Sequence, residues 1–335
     1  MSKDLSHQRL ELTDDDVRRM YRLMLTARAV DERALVLVRQ GKTQFTVGGQ
    51  GHEAAQVGAA WTLRPGVDWV LPYYRDTALV LTLGISTYEI FLGEFAKADD
   101  PGSGGRQMPR HWSYPRLRII TASSVVATQL PHAVGCALAA RLAGEDAVAF
   151  VSFGDGAVSK GDFHEALSFA GIHRLPVVFF CENNYYAISV PFSQQSPVAS
   201  VADRASAYGF PGVSVDGNDP LAVYEVTRKA VQRARQGQGP TLIEARTYRL
   251  GPHTSNDDDR RYRSRAEVEE WHAKDPLRRF GDYLISNGLL SETEAQEWQK
   301  QTHDEVAEAA NRASMAPELT PDVACRFVYA EEDGR

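Results

Sequence analysis

The sequence predicts an α/β fold: a parallel sheet with helices on both faces and helical N- and C-terminal extensions. Three observations lead there. The apolar runs "AVAFVSF" and "PVVFFC" read as strands buried on both faces, the first without polar alternation, and "PTLIEART" reads as a further strand. Amphipathic stretches separate them, among them residues 160–173 with Phe163, Ala166, Leu167 and Ala170 on one side. Strand and helix alternate along the centre of the chain, which calls for parallel pairing with helical crossovers.

Taken in order, Thr13 followed by Asp14, Asp15 and Asp16 marks a helix start, its hydroxyl capping free N–H groups and its acids facing the positive dipole end. Val17, Met20, Met24 and Ala27 recur at helical spacing, and Gly41 ends the helix. "GGQGHEAAQVGAAW" is a glycine turn leading into a second helix, and "DWVLPYYRD" is a short strand with its outgoing loop. Residues 99–116 form a long loop rich in Gly, Pro and Arg, which reads equally well as a functional loop and as a surface excursion. After the two central strands, "VSVDG" is a further strand. Asp219 caps a helix with Pro220 at its first position. "SRAE" (Ser264 to Glu267) and "SETE" (Ser291 to Glu294) fit capping boxes. The expected units are a helical arm over residues 1–45, an α/β domain over 46–263 and a helical extension over 264–335.

The chain has 335 residues, 43% hydrophobic and 24% charged, with a net charge of −7. No global positive field draws it to nucleic acid. Its three cysteines, Cys136, Cys181 and Cys325, form no Cys-x-x-Cys, so a disulfide framework or zinc ribbon is not expected; Cys136 and Cys181 are expected to pack in apolar surroundings. The first residues show no signal or transit pattern, and no apolar run reaches membrane-spanning length, so the expected location is the cytoplasm.

The chemistry concentrates in "FGDGAVS" and "CENNYYAIS". Gly154–Gly156 follows one buried strand and Asn183–Asn184 the next, at the distance of one βαβ unit. Asp155 and Asn184 should therefore emerge on neighbouring loops at the carboxyl edge of the sheet, where ligands bind. A carboxylate and an amide oxygen suit Mg²⁺, and Mg²⁺ bridges to phosphate oxygens. That arrangement explains an acid where a diphosphate would sit. The rival is a dinucleotide turn of G-x-G-x-x-G type, with Ser159 in place of the third glycine and Glu182 as the ribose-binding acid. Taken singly, each motif also reads as a turn chosen for backbone shape.

GDG followed by NN at this distance is similar to the thiamine diphosphate fingerprint. With "GHEAAQVGAA", "PYYRD", "GRQMP", "SSVVATQLPHAVG", "VDGND" and "YRLGPHTSNDDDRRYR", the chain resembles, over residues 15–285, the alpha subunit of the first component of 2-oxoacid dehydrogenase complexes, branched-chain type. Pyruvate- or acetoin-type relatives share the architecture, and a non-catalytic scaffold retaining the fold is a further reading. The resemblance implies the thiamine diphosphate-binding fold, decarboxylation of a 2-oxoacid and transfer of the acyl unit to a lipoyl group on an acyltransferase component. It also implies residue roles. Asp155, Asn184 and the Tyr186 backbone would hold Mg²⁺. Gly154, Gly156 and Ala157 would meet the diphosphate, with Tyr74 and Arg75 gripping it and Arg249 supporting it. Ser124 and Val126 would line the cofactor, and Ser123, Val125, Thr128 and Gln129 would cradle K⁺; Val125 stands where branched-chain relatives often have proline. His253 would lie near the reacting carbon and move protons near neutral pH. Thr254 stands where some relatives carry a phosphorylated serine, with Ser255 beside it. Glu182 replaces an arginine of some branched-chain members. The glutamate that polarises the aminopyrimidine belongs in this family to a beta subunit, so the chain is expected to be inactive alone and to assemble as two alpha and two beta chains.

Overall fold

The computed structural model describes residues 6–121 and 123–325. Expectations for residues 1–5 and 326–335, the outer ends of the terminal units, lie outside them. The strands are β1 (Trp69–Leu71), β2 (Ala149–Gly154), β3 (Val177–Asn183), the two-residue β4 (Tyr186–Ala187) and β5 (Val190–Pro191), β6 (Gly212–Asp216) and β7 (Thr241–Arg246). The helices are α1 (Ser6–Arg9), α2 (Asp14–Arg39), α3 (Glu53–Ala60), α4 (Thr77–Leu83), α5 (Thr87–Glu94), α6 (Gln129–Leu142), α7 (Gly161–His173), α8 (Phe192–Gln195), α9 (Pro220–Arg235), α10 (Arg265–His272), α11 (Pro276–Ser286) and α12 (Glu292–Ser314).

Five strands pair in parallel in the order β1-β2-β3-β7-β6, and β4 and β5 form a separate antiparallel hairpin. The register sets Gly154 opposite Glu182 and Asn183 opposite Arg246, so the loops leaving β2, β3 and β7 start level with one another. Side chains alternate between two cores. Phe150, Val178, Phe180 and Ile243 face the core shared with α2, α3, α4, α5, α9, α11 and α12. Val151, Phe153, Val177, Phe179 and Cys181 face the core shared with α6 and α7. Each fully buried phenylalanine contributes about 1.5–3 kcal/mol relative to exposure.

The caps follow the sequence with one exception. Thr13 with Asp16 and Ser291 with Glu294 form reciprocal capping boxes, and Asp219 caps α9 ahead of Pro220. Ser264 caps α10, but its box is open: the Glu267 carboxylate engages two tyrosine hydroxyls instead. Cys181 is buried as expected, whereas Cys136 lies half-buried on α6.

The loop over 99–116 is ordered from within. The Asp100 carboxylate accepts from the N–H groups of Gly102, Ser103 and Gly105 and from the Ser103 hydroxyl. Arg110 drives its guanidinium into the interior, where it meets Asp31 at 2.9 Å and also pairs with Glu94. Asp31 in turn accepts the Gly49 N–H at 2.7 Å, and Glu94 accepts the Thr46 hydroxyl at 3.1 Å. One cation thus ties the long loop to α2, α5 and the glycine turn.

Replacing Arg110 with methionine leaves two carboxylates buried without their counter-ion. The expected loss is about 3–5 kcal/mol of unfolding free energy, measured by urea titration at neutral pH. The deficit should shrink at acid pH, because burial already raises the Glu94 pKa and Arg110 is what opposes that shift.

Candidate active site

Strand register alone delivers the site. The loops after β1, β2 and β3 open into one cavity of about 310 Å³ at the carboxyl edge of the sheet. Tyr74, Arg75, Ser123, Ser124, Val126, Gln129, Gly154, Asp155, Gly156, Ala157, Asn184, Tyr186 and His253 all line it. A larger open depression of about 490 Å³ beside Arg9, Asn218 and Arg279 contains none of them.

Asp155 begins a short 3-10 turn that ends at Ser159, ahead of α7. It is 1% exposed. One carboxylate oxygen, Oδ2, accepts from Gln195 Nε2 at 3.1 Å, while Oδ1 has no partner. Burial pushes its pKa up to about 6, opposed by Gln195 and by backbone N–H groups, including that of Asn184. The Asn184 side-chain oxygen accepts the Tyr186 N–H at 3.3 Å and keeps its second lone pair. A Cβ on Gly156 would come within 2.9 Å of the Ala187 Cβ, so glycine there lets the two turns approach closely. Among the described residues no group of three or more His, Cys, Asp or Glu side chains is arranged to hold a metal ion. Asp155 and Asn184 bring a carboxylate and an amide oxygen to one cavity, the hard oxygens that Mg²⁺ takes.

Two cations face this point. Arg75, 2% exposed, donates to the Gly48 carbonyl at 2.8 Å, to His253 Nδ1 at 2.8 Å and to the His253 carbonyl at 3.1 Å. Arg249, 1% exposed, donates to the Ile188 carbonyl at 3.0 Å, the Tyr262 hydroxyl at 2.8 Å and His253 Nδ1 at 3.4 Å. Neither donates to a carboxylate among the described residues. Burial, and then the charge of Arg75, push Arg249 down to about 10. The Gly48–Gly49 turn presses against Arg75: a Cβ on Gly49 would stand 2.4 Å from the Arg75 carbonyl.

His253 is fixed by these neighbours. An arginine N–H only donates, so Nδ1 accepts and the neutral ring carries its proton on Nε2. Burial, then Arg75 and Arg249, push its pKa down to about 3. In the unliganded arrangement the ring is therefore a neutral donor through Nε2. Its ring meets Tyr74 edge-on at 6.3 Å, and its backbone N–H donates to Asp257 at 2.8 Å.

The remaining expected residues divide. The Gln129 amide nitrogen donates to the Ser152 carbonyl at 3.0 Å, and its buried Oε1 has no partner. Ser123 accepts the Val125 N–H at 3.0 Å, and the Thr128 hydroxyl donates to the Val125 carbonyl at 2.9 Å. Val125 and Thr128 stand outside the cavity, Val125 with 62% exposure, and Arg249 lies behind the wall rather than in it. Glu182 does not reach the cavity. It is fully buried, accepting from Gln56 at 3.0 Å and Tyr73 at 3.3 Å and pairing with His52 Nδ1 at 2.6 Å. Burial pushes both Glu182 and Asp76 up. An acid so enclosed offers nothing to a ribose, which removes the main support for the dinucleotide reading.

The sequence reading missed Phe45, Val47, Tyr73, Pro109, His111 and Ile188 as lining residues. His111 was legible in part, because it sits in the long loop and follows "GRQMP". Its Nε2 lies 2.7 Å from the Ser124 hydroxyl. The apolar members carry no local signal beyond hydrophobicity.

Comparison with known proteins bears on the whole chain. The family model described as "Dehydrogenase E1 component" matches residues 21–322. The chain is 52% identical over 325 residues to the 2-oxoisovalerate dehydrogenase subunit alpha of Bacillus subtilis (strain 168), covering 97% of this chain and 98% of that one. It is 41% identical over 326 residues to the 3-methyl-2-oxobutanoate dehydrogenase subunit alpha of Mycobacterium tuberculosis (strain ATCC 25618 / H37Rv), covering 96% and 84%. It is 38% identical over 323 residues to the pyruvate dehydrogenase E1 component subunit alpha of Bacillus subtilis, covering 95% and 83%. Sheet, cavity and matched span coincide, and the chain belongs to the dehydrogenase E1 component family.

Proposed function

We propose that this chain is the alpha subunit of a cytoplasmic, branched-chain 2-oxoacid dehydrogenase. It acts with a beta subunit, in an assembly of two alpha and two beta chains, to decarboxylate a 2-oxoacid and pass the acyl group to a lipoyl-bearing acyltransferase. The higher identity to the 2-oxoisovalerate subunit, 52% against 38% for the pyruvate subunit, supports the branched-chain type over the pyruvate type. The low cysteine content supports a reducing compartment.

One observation carries the cofactor reading. A buried carboxylate oxygen without a partner, Asp155 Oδ1, shares a cavity with Asn184 and Arg75, with Arg249 behind the wall, and neither arginine forms a salt bridge among the described residues. A divalent cation satisfies the first and a diphosphate the second. Asp155, Asn184 and the Tyr186 carbonyl would hold Mg²⁺. Gly154, Gly156 and Ala157 would present backbone to the diphosphate, with Tyr74 and Arg75 beside it and Arg249 behind. Ser124 and Val126 would line the organic part. Ser123, Val125, Thr128 and Gln129 fit a K⁺ ion in part: the Gln129 oxygen is unpartnered, whereas the Val125 carbonyl already accepts the Thr128 hydroxyl. Thiamine diphosphate, when bound, supplies the electron sink that lets carbon dioxide leave a 2-oxoacid.

This chain's own residues do the rest. Arg75 and Arg249 neutralise an anion without reorganising, since both are already oriented by neutral acceptors. His253 offers a proton-bearing Nε2 to whatever lies in the cavity. A bound anion would weaken the arginine field that holds the ring neutral and bring it toward its ordinary range.

Assayed together with a beta subunit, the chain should support decarboxylation of 3-methyl-2-oxobutanoate faster than of pyruvate, and Asp155→Ala should reduce this to background. Activity on acetoin only, or on no 2-oxoacid, would refute the reading. In the unliganded chain the His253 imidazole should show no titration between pH 8 and pH 5 by nitrogen-15 NMR, and Arg75→Met should move its pKa back toward the ordinary value. Because the folded pKa is depressed, the contribution of His253 to stability is complete above about pH 6.5. It is lost as pH falls through that value toward about 3.

A further inference from the structure

The turn that carries Asn184 and Tyr186 is not self-sufficient. Tyr185 and Ile188 both adopt left-handed backbone, with φ of 67° and 57°, although neither is glycine. Such conformations persist in bulky residues only where the surroundings over-determine them. Local bonds do part of this: the Asn183 and Asn184 side chains accept the N–H groups of Tyr185 and Tyr186. The Phe192 N–H donates to the Tyr185 carbonyl at 2.8 Å and Arg249 to the Ile188 carbonyl at 3.0 Å, and between these two residues Glu267 of α10 holds Tyr186. Its two carboxylate oxygens each lie 3.0 Å from the Tyr186 hydroxyl, and Oε1 accepts the Tyr248 hydroxyl at 2.9 Å.

This use of Glu267 displaces the ordinary one. The Ser264 hydroxyl accepts the Glu267 N–H at 3.1 Å, so half a capping box is in place, yet the carboxylate turns away from the Ser264 N–H toward the tyrosines. No residue of α10 is buried. What joins the helix to the sheet edge is this carboxylate and Trp271, which stacks on Tyr248 at 4.8 Å with 2° between the planes and tilts against Tyr185 at 5.8 Å. Both attachments end on the cation-bearing turn or on its neighbour after β7. A carboxylate placed only to hold a surface helix would have no reason to leave its cap for the hydroxyl of Tyr186, a residue that lines the cavity.

We propose that Glu267 is a positioning residue for the cation site. By gripping the Tyr186 and Tyr248 hydroxyls with one carboxylate, it holds the 184–188 turn so that the Asn184 side-chain oxygen and the Tyr186 carbonyl stand ready for Mg²⁺. The inference rests on the reading of Asp155, Asn184 and Tyr186 as the cation ligands. Partners one shell beyond the ligands commonly change metal affinity by about 10–100-fold. Glu267 belongs to the extension, so the cation site depends on a segment well after the residues that touch the ion.

The test is calorimetric titration of Mg²⁺ into the purified alpha–beta assembly at fixed thiamine diphosphate. Glu267→Ala should raise the half-saturating Mg²⁺ concentration about tenfold or more. Glu267→Gln, which keeps one acceptor oxygen, should recover most of the loss. Affinity for thiamine diphosphate at saturating Mg²⁺ should change little, because Arg75 and Arg249 are untouched. Tyr186→Phe should reproduce the shift and Tyr248→Phe should show a smaller one, and these two carry the test if Glu267→Ala does not assemble. Wild-type Mg²⁺ dependence in both Glu267→Ala and Tyr186→Phe, or a lowered melting temperature with an unchanged Mg²⁺ requirement, would overturn the inference while leaving the cofactor reading intact. Absence of Mg²⁺-dependent binding in the unsubstituted assembly would overturn the cofactor reading and this inference with it.

Discussion

Arg75 and Arg249 are charged, almost fully buried, and donate only to carbonyl, hydroxyl and imidazole acceptors. Desolvating a guanidinium costs several kcal/mol, and neutral acceptors offset only part of that. Burial, and then the charge of Arg75, depresses Arg249, and burial followed by both arginine charges depresses His253. A site in this condition is poised for an anion. The energy that would otherwise have gone into stability is held as electrostatic complementarity to a ligand.

The contrast with Arg110 makes the point from within the same molecule. Arg110 is equally buried but paired with Asp31 and Glu94, and its charge is neutralised. It serves as structure, and the two clusters touch. Asp31 accepts the N–H of Gly49, the residue pressed against the Arg75 carbonyl, and Glu94 accepts the hydroxyl of Thr46, whose carbonyl accepts the Ser255 N–H two residues beyond His253. A compensated cation thus props the turn and the loop that hold an uncompensated one. Similar burial with opposite pairing separates scaffold from site.

Much of this was legible in the chain. Unbroken apolar runs gave the parallel sheet, and parallel pairing with a βαβ spacing was enough to bring Asp155 beside Asn184, because register follows from topology. Cap residues were readable because their hydrogen bonds are local. What could not be read was long-range pairing of charge. Nothing near Glu182 in the sequence says that His52, Gln56 and Tyr73 close around it, 130 positions away in the case of His52. Nothing in "SRAE" says that the glutamate abandons its helix cap for Tyr186 and Tyr248. The depressed pKa of His253 had the same origin: motif and loop composition identify the residue, but only the placement of two arginines fixes which nitrogen carries the proton.

The same electrostatic accounting bears on the partner. Among the described residues lining the cavity Asp155 is the only acid, and the cation reading commits it to the metal. A thiamine enzyme needs a second carboxylate besides the one that would hold the metal, and apart from Asp155 the described lining offers apolar side chains such as Phe45, Val47, Val126 and Ile188 and polar ones such as Ser124, His111 and His253. None of these can hold a negative charge near neutral pH. Met108, Val125 and Ile188 are each more than half exposed. With Asp155 committed to the cation, the described lining leaves no acid for the second role, and that deficit is what the proposed beta subunit would answer.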